Sequence, residues 1–195
     1  ILFFILLAAV PVLILGGLVL YLIDLSHRYD VSNLELQLID QKTEEIKKFF
    51  ADTLGILELR VGFTQKSEIE LSQQHFLLSG LLEEHKAFEE VTFINLTGKE
   101  TSKKIRSGEE VELLDVSRLS YFKEAIQGGN YIGEVYHALS GPFVTLAAPV
   151  RNRNNDIIQV LSAEVNLSQI LRSLESARLG SGGYIVLLDK DGVFI

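Results

Sequence analysis

The side chains best suited to acid–base or metal chemistry are scattered along this chain. The four histidines, His27, His75, His85 and His137, have no Glu or second His at the spacing that a zinc site needs. No serine stands in a nucleophile elbow. The run Gly180–Gly183 follows a predicted helix, whereas a phosphate-binding loop precedes one. The sequence therefore predicts no catalytic residue, no metal site and no cofactor.

A short acidic segment near the end of the given sequence matches the first positions of a calcium-binding loop. Asp189, Asp191 and Gly192 have the appropriate spacing, but no further liganding Asp or Asn follows them. The same residues between two apolar runs are typical of a hairpin turn, which is the favoured interpretation.

Composition limits the classes of partner. The chain has 195 residues with 26 acidic and 18 basic side chains, for a net charge of −8. An acidic protein lacks the positive surface that phosphate backbones require, so nucleic acid is not an expected partner. There is no cysteine, which excludes disulfides and thiolate metal sites.

The first residues predict a membrane anchor. Ile1 to Ile23 contain no charged side chain, and as a helix they would reach roughly 34 Å, enough to cross a bilayer. In the flank that follows, the acidic residues outnumber the basic ones, so it lacks the basic excess of a cytoplasmic segment. The acidic residues are Asp24, Asp30, Glu35 and Asp40, and the basic ones are Arg28 and Lys42. We expect one visible transmembrane span in the cell (inner) membrane, with the following domain extracytoplasmic.

Helical periodicity follows the apolar run. The stripe from Leu34 to Val61 predicts a long amphipathic helix, with Gly62 as its stop signal. This helix could pack on its own domain or also form a homodimer with a second copy, and the sequence leaves both open. A second helix is predicted from Ile69 to Phe88.

Beyond Glu90 the period becomes strand-like. A short helix is expected from Tyr121 to Gln127, capped by Ser117 or Ser120. Five strands are predicted: Val91 to Leu96, Glu100 to Ile105, Tyr131 to Ala138, Phe143 to Val150 and Ile157 to Val165. The polar run from Arg151 to Asp156 is typical of a hairpin loop. Together these elements predict an α+β domain with an antiparallel sheet.

A further helix is expected from Asn166 to Leu179, and a strand, turn and strand begin at Tyr184. This repeats the plan of the first two strands, so a second module of the same kind is expected to start there. The expected domains are 1–23 (span), 24–65 (long helix), 66–166 (first module) and 167–195 (connecting helix and truncated second module). Because the chain also contains no Met, we expect it to be part of a longer protein.

The order and spacing of four segments resemble the double Cache family of extracytoplasmic sensor domains. The segments are FEEVTFINLTGKE, DVSRLSYFKEAIQGGNYIGEVY, FVTLAAPVRNRNNDIIQVLSAEVNLSQI and GSGGYIVLLDKDGVFI. The resemblance implies a PAS-like five-stranded sheet with flanking helices, and a ligand in the membrane-distal module. It also implies a second span and a cytoplasmic output domain, whether histidine kinase, chemotaxis receptor or nucleotide cyclase.

The resemblance also implies a ligand-binding site. Arg118, Tyr121 and Tyr136 match an Arg and two Tyr of the amino-acid-binding members, and Glu164 lies close to the second of two acidic positions. Ala138 replaces the first of these acids, while Ser120 replaces a Trp.

The remaining guanidinium and phenols predict a small carboxylate-bearing ligand, an organic acid or an amino acid. Arg118 could instead be a surface residue or part of a structural ion pair. The leading interpretation is a signal-transducing receptor. A membrane-tethered binding or accessory subunit without cytoplasmic output is the alternative, and a hydrolase fits least.

Overall fold

The computed structural model describes residues 2–61, 69–109, 111–175, 186–188 and 192. One compact unit comprises the described residues up to 45, and a second comprises all the described residues from 46 onward. The helices are α1 (Leu2–Val61), α2 (Leu71–Glu84), α3 (Ser120–Ile126) and α4 (Ser168–Glu175). The strands are β1 (Phe88–Ile94), β2 (Glu100–Ile105), β3 (Tyr131–Ala138), β4 (Gly141–Arg151) and β5 (Ile157–Asn166).

The five strands form one antiparallel sheet in the order β2-β1-β5-β4-β3. The central strand β5 is buried along most of its length because it has a neighbour on both sides and helices on both faces. This arrangement confirms the predicted α+β class and the antiparallel pairing. The predicted strands agree with the observed ones to within three residues at each end.

The first face of the sheet carries the main core. Alternate residues such as Val91, Phe93 and Leu161 point to this face and are fully buried. They pack against Leu78 and Leu81 of α2, and Leu57 of α1 joins the same cluster. The amphipathic stripe predicted for α1 is therefore confirmed from residue 46 onward, where it meets the core.

In the N-terminal unit, the same stripe is exposed. Leu36 and Ile39 have 58% and 43% of their surface accessible, and Lys42 forms an ion pair of 2.7 Å with Glu45.

Within the described part of the chain, no helix combines the length and apolar character needed to cross a membrane. The span predicted for residues 1–23 thus stays a prediction.

The second face of the sheet is covered by α3. Phe122 and Ala125 of this helix pack on Ile94, Ala147 and Val160, which form a smaller, separate core. Because α3 has only seven residues, it covers only part of this face.

A tight turn between β1 and β2 positions the segment that leads into α3. The Oδ1 atom of Asn95 accepts hydrogen bonds from the backbone N–H groups of Thr97 and Lys99, both at 3.0 Å. Gly98 has φ +85°, and a Cβ there would lie 2.5 Å from the Cα of Ser117. The carbonyl of Gly98 accepts a bond of 2.8 Å from the N–H of Val116, so only glycine allows this close approach.

Helix ends account for most departures from the predicted elements. α2 ends at Glu84 and Phe88 already belongs to β1, because the guanidinium of Arg106 donates to the carbonyls of Leu82, His85 and Phe88. These bonds satisfy carbonyls that a longer helix would have paired internally.

The predicted cap of α3 is wrong. Leu119 is the N-cap residue and makes no side-chain cap bond, Ser117 lies in the preceding turn, and Ser120 is the first helical residue. α4 is described as far as Glu175, and its predicted end at Leu179 lies outside the described residues. Gly62 and most of the predicted second module, residues 184–195, lie outside the described residues.

Candidate functional site

Strand register gathers charged side chains on the second face of the sheet, beside α3. Glu90 of β1 pairs with Glu164 of β5, which in turn pairs with Thr145 of β4. Lys103 of β2 pairs with Thr92 of β1, whose side chain points to the same face as Glu90. We call Glu90, Glu100, Glu164 and Lys103 the acidic cluster.

Glu164 is held by two hydroxyl groups. Its carboxylate accepts a hydrogen bond of 2.5 Å from the phenol of Tyr136 and one of 2.8 Å from Thr145 Oγ1. Burial raises the pKa of Glu164 and the charge of Glu90 adds to this effect, while the two hydrogen bonds act in the opposite direction. Two of the predicted site residues, Tyr136 and Glu164, are therefore in direct contact.

Packing against a neighbouring aromatic ring also holds Tyr136 in place. Its ring stacks on Phe143 of the neighbouring strand, with 6.0 Å between ring centroids. Burial, then the hydrogen bond to Glu164, raises the pKa of the Tyr136 phenol, so it remains a neutral donor.

Lys103 is the cation of the acidic cluster. Its ammonium lies 2.8 Å from Glu100 and 3.3 Å from Glu90, and the side chains of Lys103 and Glu100 are only 6% and 4% exposed. Burial alone would lower the pKa of Lys103, but the hydrogen bond to Glu100 and the two negative charges outweigh it and raise the pKa. Glu100 also accepts a bond of 2.8 Å from the N–H of Leu114.

Tyr121 faces this cluster from α3. Burial raises the pKa of its phenol, and the charges of Glu100, Glu164 and Glu90 raise it further. Its ring centroid lies 6.3 Å from that of Tyr131. The three carboxylates and the ammonium of the acidic cluster therefore lie beside the phenols of Tyr121 and Tyr136. This arrangement suits a ligand with hydrogen-bond donors or positive charge.

Arg118 does not join this arrangement in the structure. It is exposed, in the turn just before α3. The pKa of exposed Asp115 is lowered, first by hydrogen bonds from Ser117 and to a smaller extent by the charges of Lys99 and Arg118. Of the four predicted residues, the structure brings Tyr121, Tyr136 and Glu164 to one face and leaves Arg118 at the surface.

Several neighbours of Glu164 were missed by sequence reasoning. Glu90 precedes the predicted start of the first strand at Val91, and Glu100 and Lys103 lie in the strand predicted from Glu100 to Ile105. None of these residues, nor Tyr131, was expected in the site. The OH of Tyr131 lies 3.4 Å from Oγ of Ser120, where the resemblance implies a Trp. One feature of the sequence could have identified Glu90 as a candidate: it is a charged residue directly before a strand that is otherwise mostly apolar.

No protein-family model matches this chain, and no curated protein matches it in sequence. Solved structures do match. The sensory domain of the Campylobacter jejuni chemoreceptor Tlp3 has a TM-score of 0.68 at 14% identity, over 82% of this chain and 68% of that chain.

Two Pseudomonas structures match in the same way. The ligand-binding domain of the Pseudomonas fluorescens chemoreceptor CtaA, in complex with L-isoleucine, has a TM-score of 0.63 at 17% identity, over 86% of this chain and 68% of that one. The Pseudomonas aeruginosa PctC domain in complex with GABA has a TM-score of 0.63 at 15% identity, over 78% and 69% of the two chains.

This chain spans about two thirds of the length of the structures it matches, for example 66% of the Tlp3 domain in complex with 4-methylisoleucine. At these identities the similarity establishes the fold. The resemblance to double Cache sensor domains is thus confirmed at that level: the chain has the PAS-like fold of chemoreceptor sensory domains.

Proposed function

We propose that this chain is the ligand-sensing part of a membrane receptor, and that it binds a small carboxylate-bearing molecule without transforming it. The observation that carries the proposal is Glu164, a largely buried carboxylate held by Tyr136 and Thr145 on the sheet face beside α3. Its support is the fold shared with chemoreceptor domains whose structures contain amino acids or GABA.

The electrostatics of the acidic cluster favour a ligand that also carries an ammonium group. The family's first acidic position is Ala138 here, but Glu90 stands next to Glu164 on the adjacent strand. An ammonium between these carboxylates would offset their repulsion, whereas a carboxylate alone would add to it. Arg118, three residues before Tyr121, is the proposed partner of the ligand carboxylate.

Calorimetric titration of the full chain tests this proposal. The probes are matched pairs with and without the amino group: L-isoleucine against 3-methylpentanoate, and GABA against butanoate. We expect the amino compounds to bind more tightly. We also expect Glu164→Gln to weaken them at least tenfold, with Glu83→Gln on the exposed side of α2 as the control.

The role of Arg118 is tested by comparison with Arg153, an arginine in the exposed hairpin loop. Arg118→Ala is expected to weaken every carboxylate probe, whereas Arg153→Ala is expected to leave binding unchanged. Equal affinities of both arginine variants and the parent chain would remove Arg118 from the site. Equal affinity of Glu164→Gln and the parent would refute the site itself.

The membrane and dimer parts of the proposal rest on the N-terminal residues. The uncharged run from Ile1 to Ile23 supports a span. The flank that follows it lacks a basic excess, which supports an extracytoplasmic position for the sensor. The exposed Leu36 and Ile39, one helical turn apart, support pairing with a second copy. Protease protection in vesicles tests the span, and cysteine crosslinking at position 39 tests the dimer.

Signal transmission is proposed to run through the sheet. Ligand binding on the second face would shift the population of two sheet arrangements, and Leu57 of α1 is fully buried in the core of the first face. Hydrogen exchange of α1 residues 46–61 with and without ligand measures this effect.

A further inference from the structure

Glu164 is a largely buried carboxylate whose hydrogen-bond partners are neutral. Its two oxygens accept hydrogen bonds from the hydroxyl groups of Tyr136 and Thr145. Among the described residues, no lysine, arginine or histidine forms an ion pair with it. Neutral hydroxyls only partly replace the water that a buried carboxylate has lost, so the negative charge of Glu164 carries a free-energy cost.

A second carboxylate lies directly opposite Glu164. Glu90 of β1 and Glu164 of β5 are register partners in an antiparallel pair, so their side chains lie on the same face of the sheet. Directly opposed side chains have Cβ atoms about 4.5–5.5 Å apart, and like charges in such a pair repel each other. This repulsion adds to the cost of burying the charge of Glu164.

The ammonium of the acidic cluster belongs to the other two carboxylates. Lys103 Nζ lies 2.8 Å from Glu100 and 3.3 Å from Glu90. Glu90 and Glu100 therefore keep a counter-ion, whereas Glu164 has none among the described residues. Of the three carboxylates, Glu164 is the one whose neutralisation by a proton breaks no ion pair.

The neighbouring groups on this face leave Glu164 as the site of charge change. The side chains that face it are Glu90 of β1, Lys103 and Glu100 of β2, Tyr136 of β3, Thr145 of β4 and Tyr121 of α3. Burial raises the pKa of Glu164 above its ordinary value of 4.5, and the charge of Glu90 adds to this rise. The two hydrogen bonds and the charge of Lys103 act in the opposite direction without cancelling it.

The two hydroxyl groups allow Glu164 to take up a proton in place. A hydroxyl both donates and accepts, so the oxygen of Tyr136 or Thr145 can accept the new O–H of a protonated Glu164 once its own hydrogen turns away. The Tyr136 side chain is 44% exposed, so water can accept the hydrogen bond that its phenol then donates. Backbone N–H groups in the same positions could only donate. Proton uptake therefore requires no rearrangement of the sheet.

We infer that Glu164, opposed by Glu90, is a proton-binding position in the mildly acidic range, and that a proton and the ammonium group of a ligand compete for it. The ligand part of this inference rests on the proposed function, whereas the proton part is independent of it. In the exchange, one ammonium group enters and one proton leaves to the solvent, and no covalent bond other than the O–H of Glu164 changes. The module would thus respond to acidity as well as to its ligand.

The proton part is tested without ligand, by NMR of the full chain in detergent micelles. Tyrosine is labelled at Cζ, and the Tyr136 signal is identified by its loss in Tyr136→Phe. We expect this signal to shift with a midpoint above pH 4.5 as Glu164 gains its proton. The shift should be absent in Glu164→Gln, which retains any contribution from His137, the next residue of β3.

A pair of matched variants tests the role of the opposed carboxylate. Glu90→Gln should move the midpoint of the Tyr136 signal towards pH 4.5, because it removes the repulsion. Glu89→Gln should leave the midpoint unchanged, because the Glu89 carboxylate lies beside Arg106, at 3.9 Å from its Nε.

The competition is tested by calorimetric titration with L-isoleucine, whose own ammonium and carboxylate groups do not titrate in this range. We expect Kd to be constant above the midpoint measured by NMR and to rise about tenfold per pH unit below it. Repeating the titration below the midpoint in buffers of different ionisation enthalpy should show the release of roughly one proton per molecule bound.

Each part has a result that would overturn it. A Tyr136 signal that does not titrate above pH 4.5, or a midpoint that Glu90→Gln leaves unchanged, would remove the proton-binding position. A Kd for L-isoleucine that stays constant through the measured midpoint would remove the competition. If neither L-isoleucine nor GABA binds at neutral pH, the proposed function fails, and the tyrosine titration still decides whether Glu164 takes up the proton.

Discussion

Replacing Tyr136 by Phe removes the shorter of the two hydrogen bonds to Glu164 and leaves the ring in place. A hydrogen bond to a charged group contributes about 1.5–3 kcal/mol. The Tyr136 side chain is 44% exposed, so water replaces part of the lost donor. We therefore expect Tyr136→Phe to lower the free energy of unfolding by about 1–2 kcal/mol at neutral pH.

The loss should depend on pH, with a definite sign. Burial raises the pKa of Glu164 above its ordinary value of 4.5, so the folded state binds this proton more tightly than the unfolded state. That contribution favours folding below about pH 4.5 and is lost as the pH rises through the folded pKa. The hydrogen bond from Tyr136 lowers the pKa of Glu164, so Tyr136→Phe raises that pKa further. Stability then continues to fall with rising pH over a wider range in the variant than in the parent chain.

Urea unfolding at about pH 4 and about pH 7 measures both effects. We expect the stability difference between Tyr136→Phe and the parent chain to be at least twice as large at neutral pH. Tyr131→Phe is the matched control, because its hydroxyl lies 3.4 Å from the neutral Ser120 Oγ, and we expect a small loss without pH dependence. Equal losses for Tyr136→Phe at both pH values would refute the assignment of an ionised acceptor.

Three further substitutions test the framework by urea unfolding. Gly98→Ala should cost about 2–4 kcal/mol, because it combines a positive φ with a backbone clash, whereas Gly108→Ala, with a positive φ in open space, should cost about 1 kcal/mol. Arg106→Ala should cost about 1–3 kcal/mol by leaving carbonyls after α2 unpaired, and a smaller effect than Gly108→Ala would contradict this role. Lys103→Met should cost about 3 kcal/mol by leaving two carboxylates without their cation, and Lys104→Met, whose side chain points to the opposite face, should cost far less.

Local periodicity was sufficient to predict the strands. β2 and β3 begin and end at the predicted residues, because turn signals such as Gly128 and Gly129 border the alternating pattern. Helix ends were less predictable. The end of α2 is determined by Arg106, which lies in the turn after β2, far from the helix in sequence.

Prediction of the candidate site had a different limit. Alternation along β5 puts Glu164 on one face with Ser162, but it does not identify the strands on either side. The partner carboxylate comes from Glu90, 74 positions earlier in the sequence, because the sheet order places β1 beside β5. We propose that Glu90 takes the place of the acid that the resemblance expects at Ala138. A residue-by-residue comparison of one sequence with a family motif does not relate Glu90 to Glu164, whereas the register of the sheet pairs them.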